Sequence, residues 1–227
     1  MRSYADGEIL RGRQVRARDS GCFAALCMTK VQVIVAGMAS LAVEMAAARL
    51  LAPFFGTSLY SWAILIGLIL ASLTLGYWLG GKLADARPDR RPFFALNAVA
   101  ALTVAFVAVL ASPLLGGALA ATEGLPFGLF WGTIAGCLGL FALPTILLGC
   151  VSPYAIRLST AGVAGSGNAA GTVFALTTIG SLIGTFGAVF LLIPNIGTRA
   201  TLYVFAAILL AFSLLGWGVS TSRPSVV

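Results

Sequence analysis

Histidine is absent from this 227-residue chain, and aspartate and glutamate together number only seven. A zinc site built on imidazole is thereby excluded, and the four cysteines offer no substitute. Cys22 and Cys27 lie near the amino terminus, Cys137 and Cys150 in an apolar stretch, and no pair has CxxC spacing. They read as free thiols packing as small apolar side chains, so neither a metal nor a cofactor is expected. Charge of either sign is also scarce, 9% of residues against roughly 25% in soluble domains. With 59% hydrophobic residues and a mean hydropathy of +1.01, the chain lacks the polar surface that water demands. An integral membrane protein is expected. The same scarcity leaves no nucleophile–base pair to assemble, so no enzymatic activity is expected.

What the chain has instead is long apolar runs. A spanning helix needs about 20 apolar residues, and six segments qualify: about 31–52, 58–83, 92–115, 127–152, 169–193 and 198–218. They are apolar all round and rich in Ala, Leu and Gly, without the alternation that a membrane β-barrel requires. The expected fold is all-α, a polytopic bundle of six transmembrane helices over residues 31–218. A basic tail without periodicity, residues 1–30, precedes it, and a short tail, 219–227, follows. Met28 opens a plausible start directly before the first helix, so residues 1–27 read as a disordered tail or as an artefact of start assignment.

The net charge of +7 is a topology signal. Arg2, Arg11, Arg13, Arg16, Arg18 and Lys30 precede the first segment. Lys82, Arg87, Arg90 and Arg91 border the second connection and Arg157 the fourth. The positive-inside rule then places both termini in the cytoplasm, with the chain in the cytoplasmic (inner) membrane. Basic residues dispersed along one membrane face do not make a nucleic-acid site.

Two segments share a glycine device. Gly67, Ala71, Gly76 and Gly80 form a small-residue face in the second, and Gly171, Gly180 and Gly184 repeat the nine-then-four spacing in the fifth. Small residues let membrane helices approach closely. The common spacing hints at two inverted three-helix copies, a transporter design. The fourth segment, "FALPTILLGCVSPYAIRL", holds Pro144 well inside its apolar run. A kink is expected there, bordering a substrate cavity or merely shaping the packing.

Residues 76–91, "GYWLGGKLADARPDRR", resemble the signature loop of the major facilitator superfamily. Gly81, Leu83, Asp85, Arg87, Arg90 and Arg91 fill its places, and the resemblance implies that Asp85 pairs with loop arginines and latches two helices. Pro88-Asp89 departs from the pattern. Across residues 34–215, the stretches "GMASLAVEMAAARLLAPFFGTSLYSWAILIG", "LPTILLGCVSPYAIRL" and "GNAAGTVFALTTIGSLIGTFGAVFLLIPNIGTRAT" are similar to the membrane part of the fused major-facilitator/spermidine-synthase proteins. In that family a soluble Rossmann-like domain transfers an aminopropyl group from decarboxylated S-adenosylmethionine to putrescine. No such domain is expected here, since "GVAGSGNAAG" at 162–171 lacks the preceding strand of a nucleotide fingerprint. The resemblance implies one half of a major-facilitator bundle.

Glu44 is the residue that composition makes conspicuous. It lies eight positions before Ala52 in an apolar run, roughly 12 Å along a helix, where a charge costs about 3 kcal/mol. Arg49, five positions on, is about 140° away around the helix and is not a natural partner. Ser40 is within local reach. Three roles fit: a substrate-binding or proton-coupling carboxylate suited to an ammonium group, a structural acid between helices, and a contact to another subunit. Tyr60, Trp62, Tyr77 and Trp78 would supply aromatic faces for a cation, with Pro144 also lining the site. Alternatively Tyr60 and Trp62 belong to an interface belt. The functional expectation is a membrane module linked to transport of a polyamine or other small cation, in the lipid bilayer and as a homodimer. The alternative is a non-transporting scaffold for a separate aminopropyltransferase or membrane complex.

Overall fold

The structure, a computed structural model, describes residues 2–160 and 165–221, with residues 2–25 and Thr221 described by their helical backbone alone. The described residues hold no strand. In chain order the elements are α1 (Arg2–Phe55), α2 (Leu59–Ala86), α3 (Arg90–Thr122), α4 (Gly128–Gly149), α5 (Val151–Ser159), α6 (Ser166–Phe186), a π-helical segment (Gly187–Leu192) and α7 (Ile193–Thr221). Five helices are long and apolar enough to cross a membrane: Leu26–Phe55, Leu59–Ala86, Arg90–Thr122, Gly128–Ser159 and Ser166–Ser220. The protein is a multi-pass helical membrane protein. Where the sequence places the first helix at Val31, the structure already has Leu26–Lys30 in it.

The last of the five runs 55 residues, which as one straight helix would measure about 83 Å. It is not straight. Gly197 has φ 81° and ψ 167°, a conformation that only glycine adopts without penalty. Beyond it the chain doubles back. The Arg199 guanidinium donates to the Ser112 hydroxyl near one end of α3, whereas Gly216 lies against the Phe94 ring near the other. Close by, Gln32 Nε2 donates to Ser213 Oγ at 3.0 Å. α7 therefore runs antiparallel to α3 and returns to the end of the bundle where Gln32 of α1 and the start of α3 lie.

That end is the basic one. Arg157 at the close of α5 pairs with Asp85 at the close of α2, and Lys30, Ser159 and Gly165 border one cavity. The opposite end gathers the Phe55 ring against Gly132 and Gly136 at the start of α4. Exposed Trp62 and Trp131 mark this second end, and exposed Trp78 and Trp217 the basic one. Trp62 and Trp78 are about 24 Å apart along α2, near the thickness of a hydrocarbon core, with the aromatic belts where a bilayer interface wants them.

Without water to drive helices together, close backbone approach must do so. α1 is central, and its inward side is Ala36, Ala39, Ala42, Val43, Ala46 and Ala47, all buried. α6 and α7 both pack on α1, α2 packs on α4 and α5, and α3 packs on α4 and α7. Gly76 and Gly80 seat α2 against the backbone of Ile146 and Cys150, while Gly180 and Gly184 seat α6 against that of Ile34 and Met38. Gly67 and Gly171, the first members of each stripe, face open space. Exchanging α1 with α4 and α2 with α6 maps each glycine seat onto the other, a two-copy contact pattern.

Pro144 does not interrupt its helix. α4 continues through it to Gly149, and the Thr145 hydroxyl donates to Phe141 O at 2.7 Å. The helical path carries on into α5: Cys150 has φ −64° and ψ −20°, and its N–H donates to Ile146 O at 3.1 Å. Three residues further on, Pro153 has no N–H to offer the Gly149 carbonyl.

Candidate functional site in the seam between α1 and α6

α1 and α6 cross in parallel. Gly180 and Gly184 sit on the Ile34 and Met38 carbonyls, Gly37 sits on that of Thr177, and Ser181 Oγ donates to Gly37 O at 3.3 Å. Toward the basic end the seam widens into a cavity of about 210 Å³, lined by Thr29, Lys30, Ser159, Asn168 and Thr172 around an apolar floor that includes Val33 and Leu176. At the crossing the two backbones touch and the seam closes. Beyond it lies Glu44.

Glu44 is half-buried, and among the described residues it has no hydrogen-bond or ion-pair partner. On the helical wheel it shares a half-buried stripe of α1 with Leu41 and Ala48, away from the alanine side. Arg49 is exposed and, as its spacing foretells, is not paired with it. The register of the crossing fixes the depth of Glu44. Six residues beyond Met38 on one helix matches six beyond Gly184 on the other, so Glu44 is level with residue 190. That level is inside the π-helical segment Gly187–Leu192, which touches α1. π-turns occur mostly as single insertions within α-helices, often at functional sites. Approaching it on α6 are two half-buried hydroxyls, Ser181 and Thr185, the latter donating to Ser181 O at 2.8 Å.

No family model, curated protein or solved structure matches the chain. The site therefore rests on its own geometry.

Tyr60, Trp62, Tyr77 and Trp78 are all exposed on α2, and none has a ring contact or hydrogen bond with Glu44 among the described residues. Tyr60 and Trp62 sit at the end opposite the basic one, and the Trp78 ring carries Lys82 Nζ 3.7 Å from its centroid, an arrangement suited to an interface. Pro144 is buried in α4. The described residues contain no cluster of three metal-ligating side chains.

The signature-loop residues lie together at the basic end. Asp85 Oδ1 receives Arg157 Nε at 3.1 Å, so its partner is an arginine of α5 and not Arg87, Arg90 or Arg91 of its own loop. Gly81 has nothing within reach of an added Cβ. The tie that sequence reading missed is Tyr154. Its ring is fully buried against Phe93, and its hydroxyl donates to the carbonyls of Arg87 and Asp89. A tyrosine in an apolar run carries no signal of a partner 65 positions away. The hydroxyl run Thr177, Ser181, Thr185 was a findable signal, since a four-residue period puts all three on one flank of α6.

Proposed function

We propose that the chain is a transport module for small organic cations, with polyamines the first candidates, and that Glu44 is its cation-binding carboxylate. One observation carries the reading: a half-buried acid at membrane depth with no partner among the described residues. An ionisable group in that position is costly and marks an ion or substrate path by default. Separated from the basic end by the α1–α6 crossing, Glu44 fits a state closed on that side. The broken 55-residue helix supports six spans, because each leg around Gly197 exceeds about 20 residues. Its two-copy contact pattern supports likeness to one half of a major-facilitator bundle, completed as a homodimer, and the basic end supports cytoplasmic termini in the inner membrane.

The test is uptake of labelled spermidine and putrescine into proteoliposomes containing wild type or Glu44→Gln. Saturable uptake by wild type, lost in a folded Glu44→Gln, is expected. Uptake equal to that of empty liposomes in both, under an imposed proton gradient, would refute polyamine transport and turn attention to the scaffold reading, with Asp85, Arg87, Arg90, Arg91 and Arg157 as the surface offered to a protein.

A further inference from the structure

We infer that the cation at Glu44 is held from its other side by a main-chain carbonyl of the π-helical segment, that of Val189. This rests on the cation-binding reading of Glu44 and deepens it. The argument starts from hydrogen-bond accounting. In an α-helix the Val189 carbonyl would accept from the N–H of Ile193. Here that N–H is donated to Ala188 O, the longer π bond. The next residue is Pro194, which has no N–H. Val189 is therefore left without a helical donor, whether the count is four or five residues. The Leu191 carbonyl is covered differently, by Asn195 Nδ2 at 2.6 Å.

An uncovered carbonyl inside a membrane is costly unless protein, water or a ligand meets it. The Val189 carbonyl lies next to the level of residue 190, which the α1–α6 register makes the level of Glu44. An ionised Glu44 on one helix and the freed Val189 carbonyl on its neighbour are both acceptors. With Glu44 ionised neither can donate to the other, so the ionised pair is satisfied by a species that brings donors or positive charge. A primary ammonium or an alkali cation is such a species. Broken helices exposing carbonyls to a coupling ion are a recurrent transporter device, and the proline beside the π-turn would keep the Val189 acceptor free.

The experiment uses the purified full chain in lipid nanodiscs, with spermidine, putrescine and sodium chloride as separate probes of thermal stabilisation. Saturable stabilisation of wild type is expected, and its source is assigned by whether the amines or sodium produce it. Pro194→Ala restores a main-chain donor without touching the carboxylate, and it is expected to weaken the apparent Kd at least about tenfold, the scale of one lost bond to a charged group. Glu44→Gln is expected to weaken it by as much or more. Unchanged affinity in a folded Pro194→Ala, with affinity lost in Glu44→Gln, overturns the carbonyl ligand and leaves the Glu44 reading standing. Absence of a saturable response in wild type overturns both. Should Pro194→Ala fail to fold, hydrogen exchange across residues 185–196 of wild type decides: slowing by the stabilising probe is expected, and no change overturns the inference.

Discussion

Alanine at position 80 would place its methyl carbon 2.5 Å from the Cα and 2.6 Å from the carbonyl oxygen of Cys150. Ordinary C···O contact begins near about 3.3 Å and C···C contact near about 3.5 Å, so α2 and α4 must part by up to about 1 Å. The seat holds backbone of Gly76, Gly80, Ile146, Gly149 and Cys150, and we take its atom contacts as comparable to one buried leucine, about 40–60 pairs at about 0.1–0.2 kcal/mol. A gap of that size forfeits at least about a quarter of the attraction, roughly 1–3 kcal/mol, the usual scale of overpacking. Gly80→Ala should therefore destabilise the protein despite the helix propensity that alanine adds, about 0.5–1 kcal/mol. Gly67 belongs to the same stripe of the same helix but meets nothing within 4 Å, so Gly67→Ala should be neutral or stabilising by up to about 1 kcal/mol. The pair is measured by equilibrium unfolding in mixed micelles. Equal effects, or the reverse order, would refute the claim that α2 is held by backbone contact at Gly76 and Gly80.

Two further substitutions probe the basic end. Tyr154→Phe removes the hydroxyl that serves the Arg87 and Asp89 carbonyls while keeping the buried ring; a loss of about 1–2 kcal/mol is expected in the same unfolding assay, with faster proteolysis of the loop at residues 87–89. Asp85→Asn breaks the pair with Arg157, whose two side chains are 76% and 47% exposed. The cost should stay below about 1 kcal/mol and shrink further in high salt, as a double-mutant cycle with Arg157→Ala would report.

Properties that repeat along the chain were legible in the sequence. Apolar runs announced membrane helices, the arginines announced one basic end, and glycine spacing announced both seats. The aromatic residues of α2 were harder to place. Tyr60, Trp62, Tyr77 and Trp78 suit a cation's cage and a bilayer interface equally by type, and only their exposure on the outer face separates the two. Pro144 misled because a proline's missing donor does not by itself break a helix; the neighbouring Thr145 hydroxyl takes up a nearby carbonyl, and the helix runs on through it. The π-turn had no periodic signature, since one inserted residue changes no composition and only Pro194 hints at it. Glu44 could be singled out by its rarity, but its level against residue 190 needed the crossing of α1 and α6.

The central position of α1 has a consequence for synthesis. Gly37 meets Ser181 across a separation of 144 residues, and at about 5–20 residues per second a ribosome needs roughly 7–29 s to make that intervening chain. Gln32 waits longer still, because Ser213 lies 181 residues downstream. During that interval the first helix has lost its cytosolic option and has not gained its neighbours. It carries a carboxylate and an amide with no packed partner, and it cannot close on the nearest helix in sequence, because α2 is shaped for α4. A nascent chain of this order depends on being sheltered at the insertion site until its last hairpin arrives, and mutations that slow release of α6 or α7 should expose α1 to membrane proteolysis before they alter the finished protein.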